Sequence, residues 1–121
     1  MMIITYINTD ALFERTAGDD ELATDLLNLF VEEKQNYFDI INQAISKNDF
    51  LAVASEAHKL KSAAGVLGFD NIAAELQIVE KKSSEKNLNF DYQNKINAIF
   101  ISLNDHIVEL EKLIKNKLWD Y

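Results

Sequence analysis

Two histidines, at positions 58 and 106, are the side chains of this sequence best suited to chemistry near neutral pH. A neutral imidazole is a good nucleophile, and its ordinary pKa of about 6.5 keeps much of it neutral under those conditions. There is no cysteine, which excludes a disulfide framework and a thiolate metal site. The surroundings of the two histidines differ. At helical spacing His58 has Ala54, Ser55, Lys61 and Ser62, with Gly65 a turn further on. All of these but Lys61 are small, so the groups of another protein could reach the ring. Lys61 is cationic, and an ammonium there can hydrogen-bond to the charge that an imidazole gains on phosphorylation, while the adjacent Lys59 adds positive potential. Exposed ion pairs contribute only about 0.2–1 kcal/mol, so Lys61 tunes such a reaction and does not drive it. His106 is flanked by Leu103 and Leu110, and Glu109 stands where His58 has Lys61. That pattern predicts a packed histidine at the edge of a core.

Helices must position these groups. The chain of 121 residues has no proline and three glycines, a composition that favours long helices over strands and turns. A short helix is predicted over Thr9–Arg15 and broken at Ala17–Gly18. Asp19 caps a second helix running to about Lys47, with Leu22, Leu26, Phe30, Tyr37, Ile41 and Ala44 as its apolar face. Asn48 and Asp49 stop that helix and cap the third, which starts at Phe50 and ends at Leu67, with Gly68 as a left-handed cap. Its stripe of Phe50, Val53, Ala57, Leu60, Ala64 and Leu67 is the pattern of a bundle seam. At about 100° per residue, His58 points roughly 130° away from that stripe, toward water. Asp70 is read as the cap of the fourth helix, with Ile72, Ala73, Leu76 and Val79 inward. Asp91 caps the fifth, whose face carries Ile96, Ile99, Leu103, Ile107, Leu110 and Ile114. Short links make neighbouring helices antiparallel. The expected fold is an all-α, up-and-down antiparallel four-helix bundle over residues 1–121, one domain, with the short helix across one end.

Composition narrows the function. The net charge of -8 makes nucleic acid an unfavourable partner, because phosphate backbones repel such a surface. No apolar run approaches a membrane span, and Met1–Asn8 lacks a signal-peptide pattern. A cytoplasmic protein is expected. No glycine-rich phosphate cradle is present, since Gly65 and Gly68 close a helix and open none, so ATP binding and kinase activity are not expected. Ser55 and Leu103 stand three residues before the histidines, which removes the Glu-x-x-His pairs of a di-iron bundle. No metal site is expected.

Residues Ala57 to Gly68 read AHKLKSAAGVLG. This stretch resembles the phosphorylation motif of histidine-containing phosphotransfer (HPt) domains. There an Ala-His is followed by Leu and Lys two and three residues after the histidine, a run of small residues, and a closing Gly. Phe69 to Glu80 (FDNIAAELQIVE) resembles the family's next helix, and Gly18 to Phe30 (GDDELATDLLNLF) an earlier one. The likeness spans most of the chain, although its sharp part is about a dozen residues. Kinase dimerisation helices are similar, but there an acidic residue typically follows the histidine, where this chain has Lys59.

The resemblance implies a role for each matching position. His58 matches the phosphoacceptor, modified on the ring nitrogen farther from the backbone, and Lys61 the lysine that steadies the phosphoryl group. Ser62 stands where the family most often has Gly. Glu80 falls where the family often has Glu or Gln, and would accept a hydrogen bond from the other ring nitrogen. The implied partners are response-regulator receiver domains and hybrid or sensor histidine kinases, with Mg²⁺ brought by the receiver and no cofactor of the chain's own. A monomer is expected. Docking is expected on the exposed sides of the third and fourth helices, with Leu12 or Phe13 as candidate additions.

Overall fold

The computed structural model describes residues 3–117. They form five helices and no strand: α1 (Thr9–Thr16), α2 (Asp20–Ser46), α3 (Phe50–Val66), α4 (Asp70–Ser84) and α5 (Tyr92–Lys115). Among these elements α3 packs on α2 and α4, and α5 on α2 and α4, so the four long helices close a ring around one apolar core. α1 packs on α2 and α3, where α2 begins and α3 ends.

Helix starts follow from side-chain caps, which satisfy backbone N–H groups left open in the first turn. Asn8 accepts from Ala11 N at 3.1 Å, Asp19 from Glu21 N at 2.9 Å, Asp49 from Ala52 N at 3.2 Å and Asp91 from Asn94 N at 3.1 Å. α4 departs from expectation. Its cap position is Phe69, which makes no side-chain cap bond, and Asp70 is the first helical residue. Phe69 is fully buried, with its ring 6.0 Å from that of Phe30 and 5.3 Å from that of His106. Drawing that ring inward sets the chain's entry into α4, and Asp70 instead accepts a hydrogen bond from Asn8 Nδ2 at 2.8 Å.

The buried line of α3 is Val53, Ala57, Leu60, Ala64 and Leu67, as its spacing predicts, while Phe50 at its start is only half-buried. That of α2 is as expected at Phe30, Ile41 and Ala44 and turned elsewhere. Ala23, Leu27 and Phe38 are buried, whereas Leu22 is exposed and Leu26 and Tyr37 are half-buried. Apolar residues cover more than one face of this long helix, and the packing of Phe38 on Phe100, with ring centroids 4.1 Å apart, selects among them. Ala73 of α4 and Ile114 of α5 are likewise only half-buried. Leu12 is fully buried, which removes it as a docking residue, while Phe13 is exposed.

His106 is fully buried rather than at the edge of the core. Tyr6 N–H donates to its Nε2 at 3.2 Å, and its Nδ1–H donates to Ser102 O at 2.7 Å. Since a backbone N–H only donates, the ring is neutral with its proton on Nδ1. Residues 3–8 are strapped across the bundle by this bond, by Asn8 N to Gly68 O at 2.7 Å and by Asn71 Nδ2 to Ile4 O at 2.9 Å. His106→Leu keeps the apolar packing but leaves Tyr6 N–H without its acceptor. A loss of about 1–3 kcal/mol is expected from urea unfolding, and a midpoint equal to that of the wild type would show that the bond is dispensable.

Candidate phosphoacceptor site

His58 lies in the middle of α3 with its side chain 58% exposed. The Val53–Leu67 stripe turns inward to the core, which fixes the opposite face of the helix, and this ring, toward solvent. One ring nitrogen is engaged: Nδ1 is 3.1 Å from Glu80 Oε2 on the neighbouring α4. The other carboxylate oxygen of Glu80 accepts from Lys61 Nζ at 2.8 Å, and Lys61 also donates to Gln77 Oε1 at 2.6 Å. One carboxylate thus bridges the imidazole and the ammonium.

That bridge fixes the chemistry of the ring. The hydrogen bond from Lys61 holds the Glu80 carboxyl below its ordinary pKa of 4.5, with burial opposing and the charge of Lys61 and the contact with His58 adding to the effect. Glu80 is therefore an anion at neutral pH and accepts the proton of Nδ1. The proton of a neutral ring is thereby held at Nδ1, and Nε2 is left with an unshared pair. An anionic acceptor also raises the electron density of the ring. The arrangement, an exposed imidazole oriented by a buttressing carboxylate, is one that suits nucleophilic chemistry.

Stability should carry the signature of this bridge. The folded pKa of Glu80 is depressed, so its contribution is present above the unfolded carboxylate value and is lost as pH falls through the lower folded value. A carbon-detected NMR titration should put the Glu80 midpoint below 4.5, and Lys61→Ala should move it upward. An unmoved midpoint in that variant would remove Lys61 as the cause.

The remaining sequence-predicted residues are distributed around the ring. Ser62 Oγ donates back to His58 O at 3.1 Å, so its hydroxyl is turned onto its own helix. A Cβ at Gly65 would meet nothing within 4 Å, so the surface beyond the ring is open. Lys59 pairs with Glu56 at 3.2 Å, away from the imidazole, and part of its charge is offset there. Among the described residues no group of three or more His, Cys, Asp or Glu is placed to hold a metal ion.

Two features escaped the sequence. Gln77, the second acceptor for Lys61, is one turn before Glu80 on α4, and that spacing was its only signal. The other is an apolar groove of about 390 Å³ between α2 and α3, lined by Leu26, Leu29, Phe30, Tyr37, Ala63 and Val66, with Glu33 at its polar edge. From helix geometry Val66 lies about 80° around α3 from His58 on the α2 side, whereas Lys61 lies about 60° around on the α4 side. The groove meets α3 at Ala63 and Val66, five and eight residues beyond His58, whereas the charged cluster of Lys61, Gln77 and Glu80 adjoins the ring.

Comparison with known families decides the relationship. The Hpt domain family matches residues 25–116, which include His58 and both helices that carry the bridge. This chain is an Hpt domain. Neither curated proteins nor solved structures gave a match. Membership of the Hpt family carries a phosphotransfer role in two-component signalling, in which such domains act as phosphocarriers, not kinases, and work with histidine kinases and receiver domains. No described helix is long and apolar enough to cross a membrane.

Proposed function

We propose that this Hpt domain is a phosphorelay intermediate that takes a phosphoryl group onto Nε2 of His58 from the aspartate of a receiver domain and passes it to another. The observation that carries the reading is the single engaged nitrogen of an exposed imidazole: Nδ1 is bonded to Glu80 and Nε2 is left open. In the transfer, Nε2 attacks the phosphorus of the aspartyl phosphate in line. The Nε2–P bond forms, the P–O bond to the aspartate breaks, and its carboxylate leaves. No proton need move, because Nδ1–H stays on Glu80. Charge on the phosphoryl oxygens is offset by Mg²⁺ brought by the receiver, and this chain contributes no cofactor. Lys61 then hydrogen-bonds to the phosphoryl group, Lys59 adds a weaker positive field, and Ser62 and Gly65 leave room for the partner.

The ring of neighbouring helices and the short links support an up-and-down antiparallel bundle acting as one domain and as a monomer, with each long helix burying its stripe internally. The apolar groove on α2 and the later part of α3 extends the proposed docking surface from α3 and α4 toward α2. Such a patch, apolar in its middle and polar at its rim, suits a protein partner better than nucleic acid or membrane. A cytoplasmic location goes with partners of this kind.

The test is to incubate the protein with a panel of labelled phosphorylated receiver domains and Mg²⁺. Acid-labile, alkali-stable label on this chain is expected. No label from receivers that do phosphorylate a control Hpt domain would overturn the reading.

A further inference from the structure

Lys61 is held on two acceptors at once, Gln77 Oε1 at 2.6 Å and Glu80 Oε1 at 2.8 Å. Both belong to α4 and lie one turn apart, so they present a two-point seat for the ammonium. An ammonium has three donors. With two of them on α4, one remains for a phosphoryl group, which offers three acceptor oxygens and up to two negative charges. Facing two of those oxygens requires Lys61 to leave one of its seats. Charge decides which. Glu80 is an anion that also anchors His58, whereas Gln77 is a neutral amide on an exposed position. Hydrogen bonds to ionised acceptors are roughly twice as strong as those to neutral ones. The contact with Gln77 is the one given up.

We propose that Gln77 is a positioning residue, a latch that holds Lys61 on α4 in the resting protein and competes with the phosphoryl group for its ammonium. The proposal rests on the reading of His58 as phosphoacceptor and adds a residue that sets how firmly the group is held. Without Gln77, Lys61 spends more time on the phosphoryl oxygens and stabilises their fully ionised form.

The phosphoryl group itself reports this. Phosphoramidate supplies it without a partner protein: the Nε2–P bond forms as the P–N bond of the donor breaks, and ammonia leaves from the nitrogen that already carries its proton. The second ionisation of a phosphate ester lies at about pH 6; that of a phosphoryl group on a ring nitrogen carrying positive charge lies lower, and a ³¹P NMR titration of the phosphorylated chain follows it. Gln77→Ala is expected to lower the proton affinity of the group twofold to fivefold, read as a lower titration midpoint. The same substitution in a Lys61→Ala background should leave the midpoint where Lys61→Ala alone puts it, since the coupling runs through the ammonium. A midpoint that stays or rises in Gln77→Ala, or an equal shift in both backgrounds, would overturn the latch. Gln77 is exposed, so the variants should fold, and an unchanged far-ultraviolet circular dichroism spectrum would verify it. Because a small molecule is the donor, failure of every receiver to transfer would not bear on this result.

Discussion

His58→Gln is expected to take up no phosphoryl group from any donor and to fold as the wild type does. Both halves follow from the position of the ring. The side chain is 58% exposed and its one hydrogen bond is to Glu80, which keeps Lys61 as a partner when the ring is gone. Stability should change by no more than about 0.5 kcal/mol, the usual range for an exposed site outside the core. Glutamine has no ring nitrogen able to form the N–P bond, so the loss of label is complete and not a matter of degree. His106→Gln is the contrasting variant. It should lose stability, because His106 is fully buried and bonded at both nitrogens, and it should still be labelled at His58. Label surviving in His58→Gln would place the acceptor elsewhere.

Gly68→Ala is expected to have the largest effect on folding. Gly68 adopts φ +80°, a left-handed conformation costing an L-residue about 1–2 kcal/mol. The space is also closed. A Cβ there would stand 2.4 Å from Asn8 O and 3.0 Å from Asn8 C, and these are backbone atoms that no rotamer change can move. Asn8 is tied in place by its N–H to Gly68 O, by its cap bond to α1 and by its amide on Asp70. Displacing it disturbs the strap, the start of α1 and the start of α4 together. Overpacking of this kind costs about 1–3 kcal/mol, so a total loss of about 2–5 kcal/mol is expected in urea unfolding. Gly65→Ala is the control. It meets no atom within 4 Å and sits within α3, so it should stabilise by about 0.5–1 kcal/mol. Equal stabilities for the two variants would show that the close approach of Asn8 is not a constraint.

The elements legible in the sequence were those whose signals are local. Asp19, Asp49 and Asp91 marked helix starts because capping depends on a few consecutive residues, and Gly68 marked an end for the same reason. The stripe of α3 was legible because only one side of that helix is strongly apolar, and the outward direction of His58 followed from it by geometry alone. The face of α2 is legible at Phe30, Ile41 and Ala44 but not elsewhere, because Leu22, Leu26 and Leu29 form a second apolar side and the helix's rotation is set by what α3 and α5 present to it. Asp70 looked like a cap until the burial of Phe69 decided where the helix begins. The hydrogen bonds of Glu80 and Gln77 join two helices. Nothing within either helix specifies their relative rotation, so the first was anticipated through family likeness and the second not at all.

The strap and the proposed phosphoacceptor site also differ in how far along the chain their partners lie. The bond from Tyr6 to His106 joins positions 100 residues apart, whereas His58 and Glu80 are separated by 22. The entropy lost on closing a loop grows with the logarithm of its length, and non-local contacts form slowly. The pairing of α3 with α4 is therefore placed to come early in folding, and the docking of residues 3–8 late. The same order run backwards makes the docking of residues 3–8 the first part to open. His58 and Glu80 belong to a local helical hairpin, which does not depend on the long-range docking of residues 3–8 to form.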